Sequence, residues 1–140
     1  MHNYYLKELM KFKYGKSQHN VENLNGVYNI YGSAGKISKS NKYLYDKPSV
    51  LIGRKGTLNN PIYVDKPFWC IDTMFYSIIN TKIVAPYFLY YVFKCIDFNR
   101  YNESTGVPSL RVPTLESIKV RIPNLNTQLR ITNISELLHS

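Results

Sequence analysis

Val50-Leu51-Ile52-Gly53-Arg54-Lys55-Gly56-Thr57-Leu58-Asn59-Asn60-Pro61-Ile62-Tyr63-Val64 runs from an apolar, strand-like segment into a cationic tip and out again through a second apolar segment. Gly53 and Gly56 bracket Arg54 and Lys55, so the backbone can turn sharply, even with positive φ, while two cations and the polar groups of Thr57, Asn59 and Asn60 point outward. Two strands joined in this way make a recognition loop on a rigid base. Taken alone, the same residues also describe a solvated hairpin turn, and the choice between the two rests on the rest of the chain.

Upstream, residues 27–31 read as a strand ending in Gly32-Ser33-Ala34-Gly35, a small-residue turn that lets a backbone approach something closely. Lys36, Lys39 and Lys42 follow, interleaved with Ser38 and Ser40. Residues 16–26 are polar and Asn-rich and read as a loop; before them, a short helix over 5–10 leads into a strand over 11–14 that Gly15-Lys16 closes. Downstream, residues 68–79 (FWCIDTMFYSII) suit one or two buried strands, and Trp69, Phe75 and Phe88 are assigned to the core. Pro86 opens a helix through about residue 98, with Tyr87, Tyr90, Tyr91 and Lys94 on one face and Phe88, Val92 and Cys95 on the next. Those faces are mostly apolar, so the helix should be well buried.

Residues 99–109 form a second polar loop, Thr114-Leu115-Glu116-Ser117 looks like a short capped helix, and residues 118–122 are a strand that Pro123 ends. A last helix follows Asn124, with Thr127 as N-cap and an apolar stripe of Leu125, Leu129, Ile131, Ile134, Leu137 and Leu138. It has three to four turns, roughly 20 Å at about 1.5 Å per residue. A stripe that stops abruptly belongs to a longer helix or packs on another chain, which makes Leu129, Ile134 and Leu138 the partner-binding candidates. No repeat or low-complexity linker divides the chain. The expected fold class is α+β, a single domain with a mixed β-sheet core over residues 1–124 and the start of a spacer helix over 125–140.

The chain has 140 residues, the size of one ordinary domain, and 44% hydrophobic against 19% charged residues is a globular composition. Lys and Arg number 18 and Asp and Glu 9, a formal net charge of +9. Between residues 36 and 66, seven cations (Lys36, Lys39, Lys42, Lys47, Arg54, Lys55, Lys66) face two anions (Asp46, Asp65), so the charge is concentrated in the centre. Such an excess suits a polyanion, nucleic acid first and an acidic membrane second. The most apolar segment, residues 83–98, carries Lys94, Asp97 and Pro86 and is not a membrane span. The N-terminus begins no signal peptide, so a cytoplasmic location is expected. Cys70 and Cys95 lie in apolar surroundings without CxxC spacing and read as reduced core residues.

Catalytic groups are not evident. His2, His19 and His139 have no partners at ligand spacing, so no metal site is expected, and none of the nine acidic residues has Lys two positions on, as metal-dependent nucleases need. There is no Gly-x-Ser-x-Gly elbow and no P-loop. Asn60-Pro61-Ile62-Tyr63 resembles the Asn-Pro-Pro-Tyr motif of adenine-N6 methyltransferases, but Ile62 replaces the second proline and the chain has no room for their cofactor-binding sheet. Gly32-Ser33-Ala34-Gly35 with Lys36 matches the Gly-x-x-Gly loop of KH RNA-binding domains, although a strand-like segment precedes it where those domains have a helix.

Taken in order, several segments resemble a target recognition domain of the specificity subunit of type I restriction-modification systems. Residues 26–35 (GVYNIYGSAG) are similar to the family's "G-x-Y-P-x-Y-G-S-N-G", and residues 50–63 to "V-L-I-G-R-K-G-T-x-x-x-P". Lys42-Tyr43-Leu44-Tyr45-Asp46, Phe68-Trp69 with Asp72-Thr73, Phe88-Leu89-Tyr90-Tyr91, Ser104-Thr105-Gly106-Val107-Pro108-Ser109-Leu110 and Ile122-Pro123 complete the series. Asn29 and Ala34 stand where the family often has proline and asparagine, and Pro123-Asn124-Leu125-Asn126-Thr127-Gln128 keeps only the outline of "P-P-L-x-E-Q". The family's subunit typically holds two such domains separated by long helices, so this chain looks like half a subunit or a piece cut from one.

The resemblance implies a non-catalytic module that reads one half of a bipartite site in double-stranded DNA. Partner modification subunits bind S-adenosylmethionine and methylate adenine, and a restriction subunit cleaves. Under it, Arg54 is the first candidate for a bidentate base contact to guanine, with phosphate binding as its alternative. Lys36, Lys39, Lys42 and Lys55 suit phosphates, since an ammonium is a point charge without fork geometry. Thr57, Asn59 and Asn60 belong to the recognition loop, the two asparagines reading adenine or capping a turn. Thr105, Ser109 and Arg111 form a possible second contact loop, Ser33 lies in the small-residue turn, and Tyr31 and Tyr43 border the groove or pack. Two other readings remain: an RNA-binding module using the Gly-x-x-Gly loop, and a protein-interaction unit acting through the C-terminal helix, with self-association or pairing to a second specificity half.

Overall fold

The computed structural model describes residues 1–139, with side-chain surroundings described through Asn133. In chain order the elements are β1 (His2–Tyr5), α1 (Leu6–Leu9), β2 (Met10–Tyr14), β3 (Tyr28–Gly32), β4 (Gly35–Ser40), β5 (Ser49–Gly53), β6 (Ile62–Val64), β7 (Phe68–Cys70) and β8 (Met74–Ile79). They are followed by α2 (Pro86–Cys95), a 3-10 turn (Phe98–Tyr101), α3 (Val112–Glu116), β9 (Lys119–Ile122) and α4 (Leu125–His139).

β5 is the strand the rest packs around. All five of its residues are buried, because its two faces serve two cores. Val50 and Ile52 point into the larger core with Phe12, Phe75, Leu89 and Phe93, while Leu51 points into a smaller one with Phe68, Cys70 and Met74. A strand wet on neither face reads as a continuous apolar run, as Val50-Leu51-Ile52 does. β5 pairs antiparallel with β6, Val50 opposite Tyr63 and Leu51 opposite Ile62, so the hairpin expected from the sequence forms. On its other side it meets β8, giving a four-stranded sheet in the order β2-β8-β5-β6.

Only Ile52 and Gly53 pair directly with β8, opposite Phe75 and Met74. Beyond them two fully buried serines complete the join. Ser77 Oγ accepts from Val50 N–H at 2.8 Å and donates to Val50 O at 2.9 Å, and Ser49 Oγ accepts from Ser77 N–H at 2.9 Å. Each hydroxyl satisfies main-chain groups that would otherwise be buried without partners.

The second sheet, β4-β3-β7, is mixed: β3 and β4 are an antiparallel hairpin, whereas β3 and β7 run parallel with Ile30 opposite Trp69. A two-stranded pair, β1-β9, joins the N-terminus to the strand before α4. α2 lies on the larger core, where Phe93 stacks on Phe12 with centroids 6.2 Å apart. The class is therefore α+β. Among the described residues no helix is long and apolar enough to cross a membrane.

Several sequence expectations are corrected. β1 and β4 are additions to the sequence reading: His2–Tyr5 is largely exposed, Gly35–Ser40 is mostly half-buried with Lys36 and Ile37 exposed, and their polar residues give no apolar alternation. α2 stops at Cys95 and buries Leu89 and Phe93, while Tyr87, Phe88, Tyr90, Tyr91 and Val92 are only half-buried and Lys94 is exposed. Cys95 is exposed instead of in the core, and Trp69 is half-buried, its indole N–H donating to Lys16 O at 2.9 Å. Asn124, not Thr127, caps α4: Asn124 Oδ1 accepts from Thr127 N–H at 3.0 Å. The face of α4 turned inward carries Gln128 and Thr132, both buried, while Leu129 and Ile131 are exposed. The side chains of Ile134, Leu137 and Leu138 lie outside the described residues.

Candidate nucleic-acid interface

Segments far apart in sequence meet at the Gly53 end of β5. β5 leaves the sheet there because Gly53 lies against the loop's own return: a Cβ at Gly53 would sit 2.0 Å from Thr57 O and 3.2 Å from Ser33 Cβ. Gly56 has φ +86°, the left-handed conformation that glycine adopts without strain. Leu58, fully buried in the larger core, pins the middle of the loop to the body. Asn60 Nδ2 donates to Ser33 O at 3.0 Å, so the Gly32-Ser33-Ala34-Gly35 turn and the 54–61 loop are tied side by side. That turn connects strands β3 and β4, unlike the helix-to-helix connection of a KH loop.

A third segment joins from the C-terminal half. Lys55 and Ser109 bridge antiparallel, Gly56 N–H donates to Pro108 O at 3.0 Å, and Leu110 N–H donates to Arg54 O at 2.9 Å. Asn102 Oδ1 closes this loop on itself by accepting from Ser104 N–H and Ser109 N–H, both at 3.0 Å. The β7–β8 turn is held as well: Arg54 N–H donates to Thr73 O at 2.7 Å, and the Arg54 guanidinium donates to Asp72 O through Nη2 at 2.7 Å and Nε at 3.2 Å. The same guanidinium lies over Tyr14, its Cζ 5.2 Å from the ring centroid. Gly15 at the end of β2 packs beneath, its N–H donating to Met74 O at 2.9 Å. The result is a rim of loops held mainly through main-chain bonds.

The residues proposed from sequence divide accordingly. Ser33, Arg54, Lys55, Thr57, Asn59, Asn60, Thr105 and Ser109 sit on the loops that meet here, with Lys36 beside them at the start of β4, and Lys36, Lys55, Thr57 and Thr105 are exposed. Asn59 Oδ1 accepts from Phe98 N–H at 3.1 Å and Asn60 is committed to Ser33, so both carboxamides already join loops. Arg111 is exposed one residue beyond Leu110, at the start of α3. Tyr31 is half-buried against Phe68 and accepts from Asn29 Nδ2 at 3.3 Å, which gives it a packing role. Lys39 lies three residues along β4 from Lys36, about 10 Å at roughly 3.3 Å per residue. Lys42 is at the opposite end of that strand, beside Ser40, with Tyr43 packed edge-on to Tyr28. The structure thus spreads the lysines along the β3–β4 hairpin instead of gathering all of them at the rim.

Sequence reasoning missed Tyr14 and Lys16. Tyr14 carries Arg54, and exposed Lys16 is anchored beside the β7–β8 turn by its N–H bond to Cys70 O at 3.0 Å. The Gly15-Lys16 pair following a strand was the available signal. Near the rim, burial pushes the Cys70 thiol up to about 12, so it stays protonated and is no nucleophile at neutral pH. Burial also raises Tyr45, with Asp46 adding to it, and raises Tyr76.

Three solved structures share this fold. The S subunit of a type I restriction-modification system from M. genitalium aligns with a TM-score of 0.84 at 18% identity, over 97% of this chain and 38% of that one. A structure described by the complex assembly and conformational transition of the type I R-M system aligns at 0.73 and 13% identity, over 99% of this chain and 38% of that one. The HsdS subunit from Thermoanaerobacter tengcongensis aligns at 0.72 and 12%, over 99% of this chain and 37% of that one. The chain spans less than two-fifths of the length of these proteins. No curated protein matches it. The family model for the type I restriction modification DNA specificity domain matches residues 1–137. A match over nearly the whole length, on a chain whose loops gather into one cationic rim, places this protein in the type I restriction modification DNA specificity domain family.

Proposed function

We propose that this domain reads one half of a bipartite site in double-stranded DNA through the rim formed by residues 32–36, 54–60 and 104–110. The observation that carries the reading is the convergence itself: three separate polar segments reach one edge and are braced there by main-chain bonds and by the Asn60 carboxamide on Ser33 O. Lys36 and Lys55 supply cations for phosphates, and Thr57 and Thr105 supply short polar side chains near base edges. The domain itself makes or breaks no bond. Modification subunits carrying S-adenosylmethionine methylate adenine, a restriction subunit cleaves, and the assembly works in the cytoplasm. The exposed Leu129 and Ile131 favour an additional role for α4 in pairing with another helix, from a second specificity half or a modification subunit.

Competition between a duplex and single-stranded RNA for a fluorescent duplex, repeated over a salt series, tests the reading. Duplex should win, and log affinity should fall linearly with log salt. An affinity indifferent to salt, or a preference for the RNA, would contradict it.

A further inference from the structure

Arg54 stands in the middle of the cationic tip, yet its side chain is turned back into the protein. The Nε–Nη2 edge of the guanidinium, one of the two forks with which arginine grips a guanine, is occupied by a main-chain oxygen, Asp72 O. Its plane is held over Tyr14, which is itself seated edge-on against buried Phe75 with centroids 5.1 Å apart. Meanwhile its N–H reaches Thr73 O and its C=O receives Leu110 N–H. One residue therefore joins the 54–61 loop to β2, to the β7–β8 turn and to the loop that carries Thr105 and Ser109. Its neighbour Lys55 is exposed on the same rim.

We propose that Arg54 is a positioning residue for DNA recognition: its side chain locks the β7–β8 turn and Tyr14 to the recognition loop, whose main chain in turn holds the 104–110 loop, and it leaves the bases to side chains such as Thr57 and Thr105. This rests on the DNA-reading function proposed above. The physical logic is that a bidentate donor to a carbonyl fixes both distance and direction, and the ring beneath fixes the guanidinium plane. A lysine at this position has no fork with which to reproduce that geometry.

The test compares the full chain with Arg54→Ala, Arg54→Lys and the milder Tyr14→Leu. Three readouts are needed: selection from a randomised duplex library, the salt dependence of duplex affinity, and amide hydrogen exchange at Gly56 and Leu110 without DNA. Arg54→Ala should weaken binding by about tenfold on every duplex the domain binds. The base-preference profile should keep its shape and the salt slope its value, while both amides exchange faster. Arg54→Lys should fail to restore affinity, and Tyr14→Leu should give a weaker version of the same pattern.

Preference lost at a single base pair, with exchange unchanged, would make Arg54 a base reader and overturn the proposal. A salt slope shallower by about one, again with exchange unchanged, would make it a phosphate contact. Binding measured per folded molecule separates positioning from simple unfolding, since lost stability lowers the active fraction and leaves the affinity of the remainder intact. If the wild-type chain bound no duplex, the DNA-reading function would fall, whereas the exchange data would still decide whether Arg54 holds the loops.

Discussion

The rim at the Gly53 end of β5 and the exit of α4 are both places where distant segments are tied together, and they are tied in different ways. At the rim, most of the bracing joins main-chain groups to main-chain groups, as in Lys55 with Ser109 and Gly56 with Pro108. The Asn59, Asn60 and Asn102 carboxamides add to it, while Lys36, Lys55, Thr57 and Thr105 are exposed. At the exit a single buried carboxamide does the joining. Gln128 Oε1 accepts from Ala85 N–H at 2.8 Å, and its Nε2 donates to Ile83 O and Pro123 O, both at 2.9 Å. The rim can therefore change outward side chains such as Lys36, Lys55, Thr57 and Thr105 with little effect on its frame, which Arg54, Asn59, Asn60 and Asn102 help to hold, while the exit depends on one side chain. A surface that reads sequence gains from the first arrangement, and a junction that sets a helix direction gains from the second.

The largest effect that bears on this contrast is expected at Gln128. Gln128→Leu leaves Ala85 N–H and two carbonyls without their partner in a buried place, which should cost about 3 kcal/mol. Differential scanning calorimetry should show a fall in Tm of about 10 °C. A change of under about 2 °C would mean that the exit does not hang on this side chain.

Next comes Gly53→Ala, which sets the new Cβ 2.0 Å from Thr57 O and forces the loop open. A loss of about 1–3 kcal/mol by urea denaturation, together with weaker duplex binding, is expected. An unchanged affinity would detach the loop's shape from recognition.

Lys55→Ala and Lys36→Ala reverse the pattern. Both residues are exposed, so stability should stay within about 0.5 kcal/mol, while the slope of log affinity against log salt should fall by about 0.9 for each phosphate contact removed. If both variants lost stability and kept the slope, the two regions would not differ as described.

The smallest effect at neutral pH concerns the cysteines. Native protein treated with iodoacetamide at pH 8 should be modified at exposed Cys95 and not at buried Cys70, as read by mass spectrometry. The folded-state Cys70 thiol lies at about 12 against an ordinary 9, so its contribution to stability is complete below pH 9 and is lost as pH rises from 9 towards 12. Over that window Cys70→Ala should show a shallower loss of stability than the wild type. An equal slope would remove Cys70 as a source of the alkaline decline.

Legibility followed burial. β5 and β6 could be read because Val50-Leu51-Ile52 and Ile62-Tyr63-Val64 are apolar and a glycine-rich tip separates them. β8 was visible for the same reason, within a run read as one or two strands. β4 is an edge strand of mostly polar, half-buried residues, and among the described residues β1 pairs only with β9, so neither carries the alternation that marks a strand. α4 was located but its inner face misjudged. Helical spacing favoured Leu129, whereas Gln128 is buried because main-chain groups from residues 83–85 and 123 were waiting for it. Complementarity of that kind is invisible in one dimension. The rim was legible in its parts, since each loop stood out by glycine, charge and turn residues. Its assembly was not, because Arg54 is held by a carbonyl eighteen residues away and a loop more than fifty away.

The central claim is that the rim, and not another face, meets DNA. Amide hydrogen exchange of the full chain with and without a short duplex at low salt tests it directly. Slower exchange on DNA binding is expected within residues 32–36, 54–60 and 104–110, with α2 and β9 unchanged. Protection confined to α2 and β9, or spread evenly over the whole chain, would contradict the account.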